Sequence, residues 1–193
     1  ARVQSAARTL TVYETRGQII TYDDKPITAA YFSTSNGYTE NSESYWSQAY
    51  PYLKSVASPW DVESPKFEDQ VTIPVKEFEE KLGVTLKGDQ VGEILERTQG
   101  NRVARVKIGD KEFTGREIRE RLNLRSTDFT WERVGDEIII TTKGFGHGIG
   151  MSQYGANGMA KEGKTYEEII QYYYQGVEIQ DLSQFLDREL AQE

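Results

Sequence analysis

"GFGHGIGMSQYGANG", residues 144–158, decides how this chain is read. Glycines stand at 144, 146, 148, 150, 155 and 158, and His147 between them is the only histidine of 193 residues. Glycine loses more backbone freedom on folding than any other residue, so a run this dense has a reason. A dinucleotide fingerprint needs G-x-G-x-x-G after a strand, and here the first four glycines alternate strictly. A phosphate loop of the G-x-x-x-x-G-K type has its spacing at Gly150 and Gly155, but Ala156 replaces the lysine. A metal site needs several ligands together, and the chain offers one histidine and no cysteine.

Two readings remain. One is a tight strand-to-helix junction whose glycines let backbone segments pack closely. The other is a ligand wall. In an extended strand Phe145, His147, Ile149 and Met151 share a face, and Ser152, Gln153 and Tyr154 follow at a helix start. Glycines opposite them would let a bulky ligand, such as a sugar polymer, reach the backbone.

Working outward, "MSQYGANGMAKEG" predicts a helix ending at Gly163. Thr165 and Glu168 predict a capping box before a helix that places Ile169, Ile170, Tyr173 and Tyr174 near one face, with Gly176 beyond its end. The tail 183–193 predicts a short charged helix. Upstream, residues 1–10 favour helix and read as its middle, which predicts a preceding segment. "GQIITY" and "ITAAYFSTS", joined by "DDKP", predict a β-hairpin. "YFSTSNGYTENSESYW", residues 31–46, mixes hydroxyls and amides with Tyr31, Phe32, Tyr38, Tyr45 and Trp46. Aromatic faces plus planar hydrogen-bonding groups suit carbohydrate, and equally suit a polar loop with core aromatics.

Residues 66–138 change character. "QVTIP" predicts a strand, "VKEFEEKLG" a helix with Phe78 and Leu82 on one face and Gly83 as its stop. "RVARVKIG" alternates as a strand does. Thr114 and Glu117 predict a second capping box, and "DFTWERV" with "DEIIITTKG" a strand pair around Gly135 and Asp136. The predicted fold class is α+β: a mixed core domain made of 1–65 and 139–193, with a small α/β domain, 66–138, inserted as a structural or partner-binding element.

A formal charge of −8 argues against nucleic acid, whose phosphates need a basic surface. The chain shows neither a polybasic patch for anionic lipid nor an apolar run of about 20 residues that would span a membrane.

"FSTSNGYTENSESYW", "PYLKSVASPWD", "SAART" and "GFGHGIGMSQYGANGMAKEGKTYEEIIQYYYQGVEI" together resemble the stage II sporulation protein D family, peptidoglycan lytic transglycosylases of endospore-forming bacteria. The resemblance runs through most of the chain, and its long C-terminal motif is specific. It implies cleavage of the MurNAc–GlcNAc β-1,4 bond to leave 1,6-anhydro ends, on the septal wall during engulfment. It implies as partners peptidoglycan strands and the stage II sporulation proteins P and M. It also implies an extracytoplasmic place, outward from the mother cell, held by a membrane anchor outside these residues. The alternative is a non-catalytic wall-binding module that guides or activates a partner amidase.

An ordinary glycosidase uses two carboxylates. A lytic transglycosylase can use one, which protonates the leaving oxygen and then activates the C6 hydroxyl of the same sugar. The resemblance places that glutamate upstream of the "AART" helix, with Glu40 and Glu43 as the nearest substitutes here. It also implies a longer segment than the one around positions 5–12. Some relatives carry histidine and cysteine in the motif matching "FSTSNGYT" and bind zinc. Apolar, hydroxyl and Asn residues stand there in this chain, so neither zinc nor any other cofactor is expected. By motif position the resemblance gives substrate-binding roles to Arg8, Ser33, Thr34, Ser35, Asn36, Thr39, His147, Ser152, Gln153 and Tyr154. Arg8 would orient the glutamate or hold a substrate acyl group.

Overall fold

The computed structural model describes residues 15–190. The helix and the Arg8 role expected over residues 1–10 lie outside the described residues. The fold is α+β, with eleven strands in four small sheets and five α-helices among the described residues. These form two compact units. One joins the start and end of the chain, and the other is residues 30–175. No described helix is long and apolar enough to cross a membrane.

In the first unit, β1 (Gln18–Tyr22) pairs antiparallel with β2 (Lys25–Pro26) and with β11 (Glu178–Asp181), which leads into α5 (Leu182–Leu190). Asp23 and Asp24 both have positive φ (47° and 55°), the backbone that a two-residue hairpin turn requires. The predicted hairpin therefore forms, its second strand being Lys25–Pro26, and the Ile27 N–H still donates to the Ile20 carbonyl at 3.1 Å. Further along "ITAAYFSTS", Tyr31–Phe32 pairs elsewhere, with Met151–Ser152.

The second unit holds a framework and a loop region. In the framework, β9 (Glu137–Lys143) lies between β4 (Glu68–Pro74) and β8 (Asp128–Val134), all antiparallel. A second sheet runs β5 (Glu93–Arg97), β6 (Val103–Ile108), β7 (Lys111–Thr114). Two helices, α1 (Val75–Leu82) and α2 (Gly115–Leu122), complete it. Phe78 and Leu82 bury one face of α1, and Gly83 ends it in the left-handed conformation. Thr114 and Glu117 form the predicted capping box of α2. Ile73, Phe78, Val106, Ile108, Ile118, Phe129, Ile138 and Ile140 share one core. Phe78, Trp131 and Phe129 stack there at 5.0–5.7 Å between ring centres, an aromatic cluster that the sequence pattern did not announce.

Outside that framework, β3 (Tyr31–Phe32) pairs in parallel with β10 (Met151–Ser152). Ser152 caps α3 (Gln153–Lys161), and α4 (Tyr166–Tyr173) carries the predicted capping box at Thr165 and Glu168. Tyr173 and Tyr174 are buried, Tyr174 donating to the Ala30 carbonyl at 2.6 Å. Burial pushes the phenol of Tyr174 up to about 12 and that of Tyr173 higher still.

Candidate functional site

The glycine stretch is not the extended strand its alternation predicts. Gly144, Gly146, Gly148 and Gly150 all have positive φ, between 79° and 122°. Side chains therefore do not alternate between two faces. Ile149 is fully buried, while Phe145 and His147 are half-buried. The room beside these glycines is filled by the protein itself. A Cβ on Gly146 would sit 2.7 Å from Phe32 Cβ, and one on Gly148 2.5 Å from the Arg102 guanidinium carbon. A Cβ on Gly150 would overlap the Ala30 carbonyl oxygen. The glycines serve close internal packing, as the junction reading has it, rather than ligand approach.

Among them stands His147, half-buried. Its ring lies 5.5 Å from Trp46, 5.8 Å from Phe32 and 6.1 Å from Tyr45, centre to centre. Its Nδ1 accepts from the Ile149 N–H at 3.0 Å, and the ring also hydrogen-bonds the Tyr31 backbone. Nδ1 as acceptor fixes the neutral tautomer with its proton on Nε2. Burial first, then the charges of Arg119 and Arg102, hold the imidazole neutral and lower its pKa to about 4. The ring thus presents a surface within an aromatic cluster and is not poised to shuttle protons.

A buried carboxylate, Asp61, stands in the 3-10 helix Pro59–Glu63. It accepts from Ser35 N (3.0 Å), Ser35 Oγ (2.8 Å), Ser58 Oγ (2.6 Å) and Ser152 Oγ (2.5 Å). Ser58 Oγ is in turn 2.6 Å from the Tyr173 hydroxyl. One side chain so ties the 31–46 loop, the start of α3 and α4. Ser152 also receives the Gly155 N–H, which makes it both cap and strut.

The framework grips the same loop from the other side. Arg102 is buried, donates to the carbonyls of Tyr38 (2.9 Å) and Gly100 (3.2 Å), and lies 3.9 Å from Glu40. Its Nε has no hydrogen-bond partner among the described residues. Burial disfavours the Arg102 charge, and Glu40, Asp128 and Asp61 in that order favour it. Glu40 accepts from Asn41 N at 2.9 Å and from Thr98 Oγ1. Asn36 donates to Gly100 O and to Asp128, which also pairs with Arg97 at 3.0 Å.

The residues singled out in the sequence divide accordingly. Thr34, Ser35, Thr39 and Ser152 are buried and bonded internally, Thr34 to Ser64 at 2.9 Å and Thr39 to the Lys54 carbonyl at 3.2 Å. Their hydroxyls hold the loop together from within. Glu40 is 1% exposed, with its oxygens engaged by the Asn41 N–H and the Thr98 hydroxyl. Glu43 is exposed and pairs with Lys54. Ser33 and Asn36 are half-buried, and Gln153 is exposed. Tyr154 lines a groove of about 470 Å³ with Trp60, Val62, Asn157 and Lys161, which His147 does not line. No three His, Cys, Asp or Glu side chains come together as a metal site among the described residues. Asp61, Thr98, Arg102 and Asp128 were not found from the sequence. Only Asp61 left a trace there, in the serine and proline that open its 3-10 turn.

Fold and site together define an α+β module that displays an aromatic cluster on a rigidly tied loop. Over 178 residues the chain is 58% identical to the stage II sporulation protein D of Bacillus amyloliquefaciens, covering 92% of the chain and 52% of that protein. Over 181 residues it is 56% identical to the protein of the same name in Bacillus subtilis (strain 168), covering 93% and 53%. The chain belongs to the stage II sporulation protein D family. It spans about half the length of these relatives. It is also 26% identical over 223 residues to the amidase enhancer of Bacillus subtilis (strain 168), across 86% of the chain and 31% of that protein. No family model matches the chain.

Proposed function

We propose that this chain acts on the cell wall during sporulation, as the glycan-binding part of a peptidoglycan lytic transglycosylase. The observation that carries this reading is the ring cluster of Phe32, Tyr45, Trp46 and His147 beside the 60% exposed Tyr31. Sugar rings pack on aromatic faces, and Tyr31 offers an exposed one. Names of the relatives support the coarser part, a sporulation role. The cleavage chemistry, the septal location outside the membrane and the partnership with stage II sporulation proteins P and M are parts of the proposal. On this reading the proton-transferring carboxylate is a glutamate upstream of the described residues.

The test is digestion of purified sacculi by the protein including its upstream residues, with mass spectrometry of the products. Products ending in 1,6-anhydroMurNAc are expected, and Trp46→Ala should weaken glycan binding about tenfold. Products with reducing ends only would refute transglycosylation.

A second reading has its own support in the similarity to an amidase enhancer. On it the module binds glycan without cutting it and stimulates a partner amidase. Glycan binding with no cleavage, and a faster amidase on addition of the protein, would favour it.

A further inference from the structure

We propose that helix α2 of the framework, with the segments that carry Lys66 and Arg125, supplies an anion-recognising wall to the glycan site, where Arg116, Arg119, Arg125 and Lys66 take carboxylates carried by the strand. This rests on the glycan reading above. The chain as a whole is acidic, at −8, yet four cations collect along one edge of the His147 cluster. Arg116 lies over the Tyr45 ring, 4.9 Å from its centre, and donates to the Tyr45 carbonyl at 3.2 Å. Arg119 donates to the Tyr45 hydroxyl at 2.9 Å and to the Leu124 carbonyl at 3.3 Å. Lys66 and Arg125 both lie over Phe145, at 5.3 and 5.6 Å from its ring centre. The Arg125 carbonyl also accepts the Gly146 N–H at 3.0 Å. Of the two aromatics so covered, Tyr45 packs against the His147 ring at 6.1 Å, and Phe145 stands two residues before His147 in the chain.

Nearby acids do not cancel this edge. Glu120 holds Arg116 Nε at 2.8 Å, and Asp69 holds Arg125 Nε at 3.0 Å. Four positive charges thus face two negative ones. Arg116 and Arg125 keep 50% and 41% of their side chains exposed, and Lys66 is exposed. Rings beneath the guanidinium groups restrict their motion, so less freedom is lost when they take a carboxylate. The positive field reaches into the cluster, since Arg119 is among the groups that keep His147 neutral. Packing alone would be served by neutral side chains. An exposed net-positive edge on an acidic protein points to an acidic polymer.

Peptidoglycan offers carboxylates from two sources, the lactyl group of the muramic sugar and the ends of the stem peptides. Calorimetric titration of the full chain with three probes separates them: chitohexaose, which is neutral, glycan strands stripped of stem peptides, and strands that retain them. Arg116→Gln/Arg119→Gln should weaken binding of acidic strands about tenfold at low salt and change chitohexaose less than about twofold. Arg116→Lys/Arg119→Lys should recover part of the loss, because charge returns without the fork. Arg105→Gln, on an exposed arginine of β6, should change neither. Should the double variant fail to fold, Lys66→Gln carries the same comparison. Selective loss with stripped strands assigns the lactyl carboxylate. Selective loss confined to peptide-bearing strands assigns the stem peptide. Equal loss for chitohexaose and acidic strands, or no loss at all, overturns the anion wall while leaving glycan binding intact. Failure of the unmodified chain to bind any of the three overturns both readings.

Discussion

Ser152 Oγ and Asp61 Oδ1 meet at 2.5 Å across 91 residues of sequence. The bond joins the N-cap of α3 to a carboxylate that accepts three further hydrogen bonds, all in the dry interior. Asparagine at 61 would keep the shape but point an amide N–H at groups that are themselves donors. Asp61→Asn is expected to cost about 3–5 kcal/mol and Ser152→Ala about 1–2 kcal/mol. Urea unfolding measures both. Equal, small losses would show that Asp61 is not the centre of the network.

Glycine substitutions separate backbone strain from overlap. Gly163 and Gly148 have nearly the same φ, 87° and 88°, but a Cβ at 163 meets nothing within 4 Å while one at 148 meets Arg102 at 2.5 Å. Gly163→Ala should cost about 1–2 kcal/mol, from the left-handed backbone alone. Gly148→Ala adds displacement of a buried guanidinium and should cost at least about 3 kcal/mol, read as a far lower melting temperature.

Arg102 and Glu40 predict a non-additive pair. Arg102→Met strands the Glu40 charge in the interior, and Glu40→Gln removes the largest support for Arg102, so each single change is expected to cost about 3–5 kcal/mol. The double variant should lose clearly less than the sum, by about 1–3 kcal/mol in a double-mutant cycle. Strict additivity would mean that the pair does not couple the framework to the loop.

His147 predicts a pH dependence with a definite sign. Its folded pKa, about 4, lies below the value of about 6.5 in an unfolded chain. The unfolded state therefore takes the proton first as pH falls. The contribution of this group to stability is complete above about pH 6.5 and shrinks as pH falls toward 4. The unfolding midpoint should drop between pH 7 and pH 5, and less so in His147→Gln. By NMR the imidazole C2 proton should not titrate between about pH 5.5 and 8. A titration near 6.5 would contradict the half-buried, backbone-bonded ring.

Much of the framework was legible because its signals are local. Phe78 and Leu82 one turn apart, the Thr114–Glu117 capping box, and strand alternation around Gly135 each need only neighbours in sequence to be read. The site was less legible for two physical reasons. G-x-G-x-G alternates like a strand, yet positive φ at each glycine cannot be read from alternation. The hydroxyls of Thr34, Ser35 and Ser152 have the chemistry that binds sugars, and the same chemistry binds Asp61 and Ser64. Only the fold says which partner they have. Arg102 lay in a strand-like segment with nothing local to mark it, since the groups that need its charge are on another loop.

The short parallel pair of Tyr31–Phe32 with Met151–Ser152 has a consequence for the order of events at the ribosome. Its partners are roughly 120 residues apart, so this pairing closes one of the longest loops in the chain. Every strand of the β4–β9 region has been synthesised before residue 151 appears, and its hairpins can form while the Tyr31 segment still waits. The loop that carries the ring cluster is then completed late, on a support already in place. Damage to the core around Phe78 and Ile140 should reach the site through a failure of assembly, even where no side chain of the site has changed.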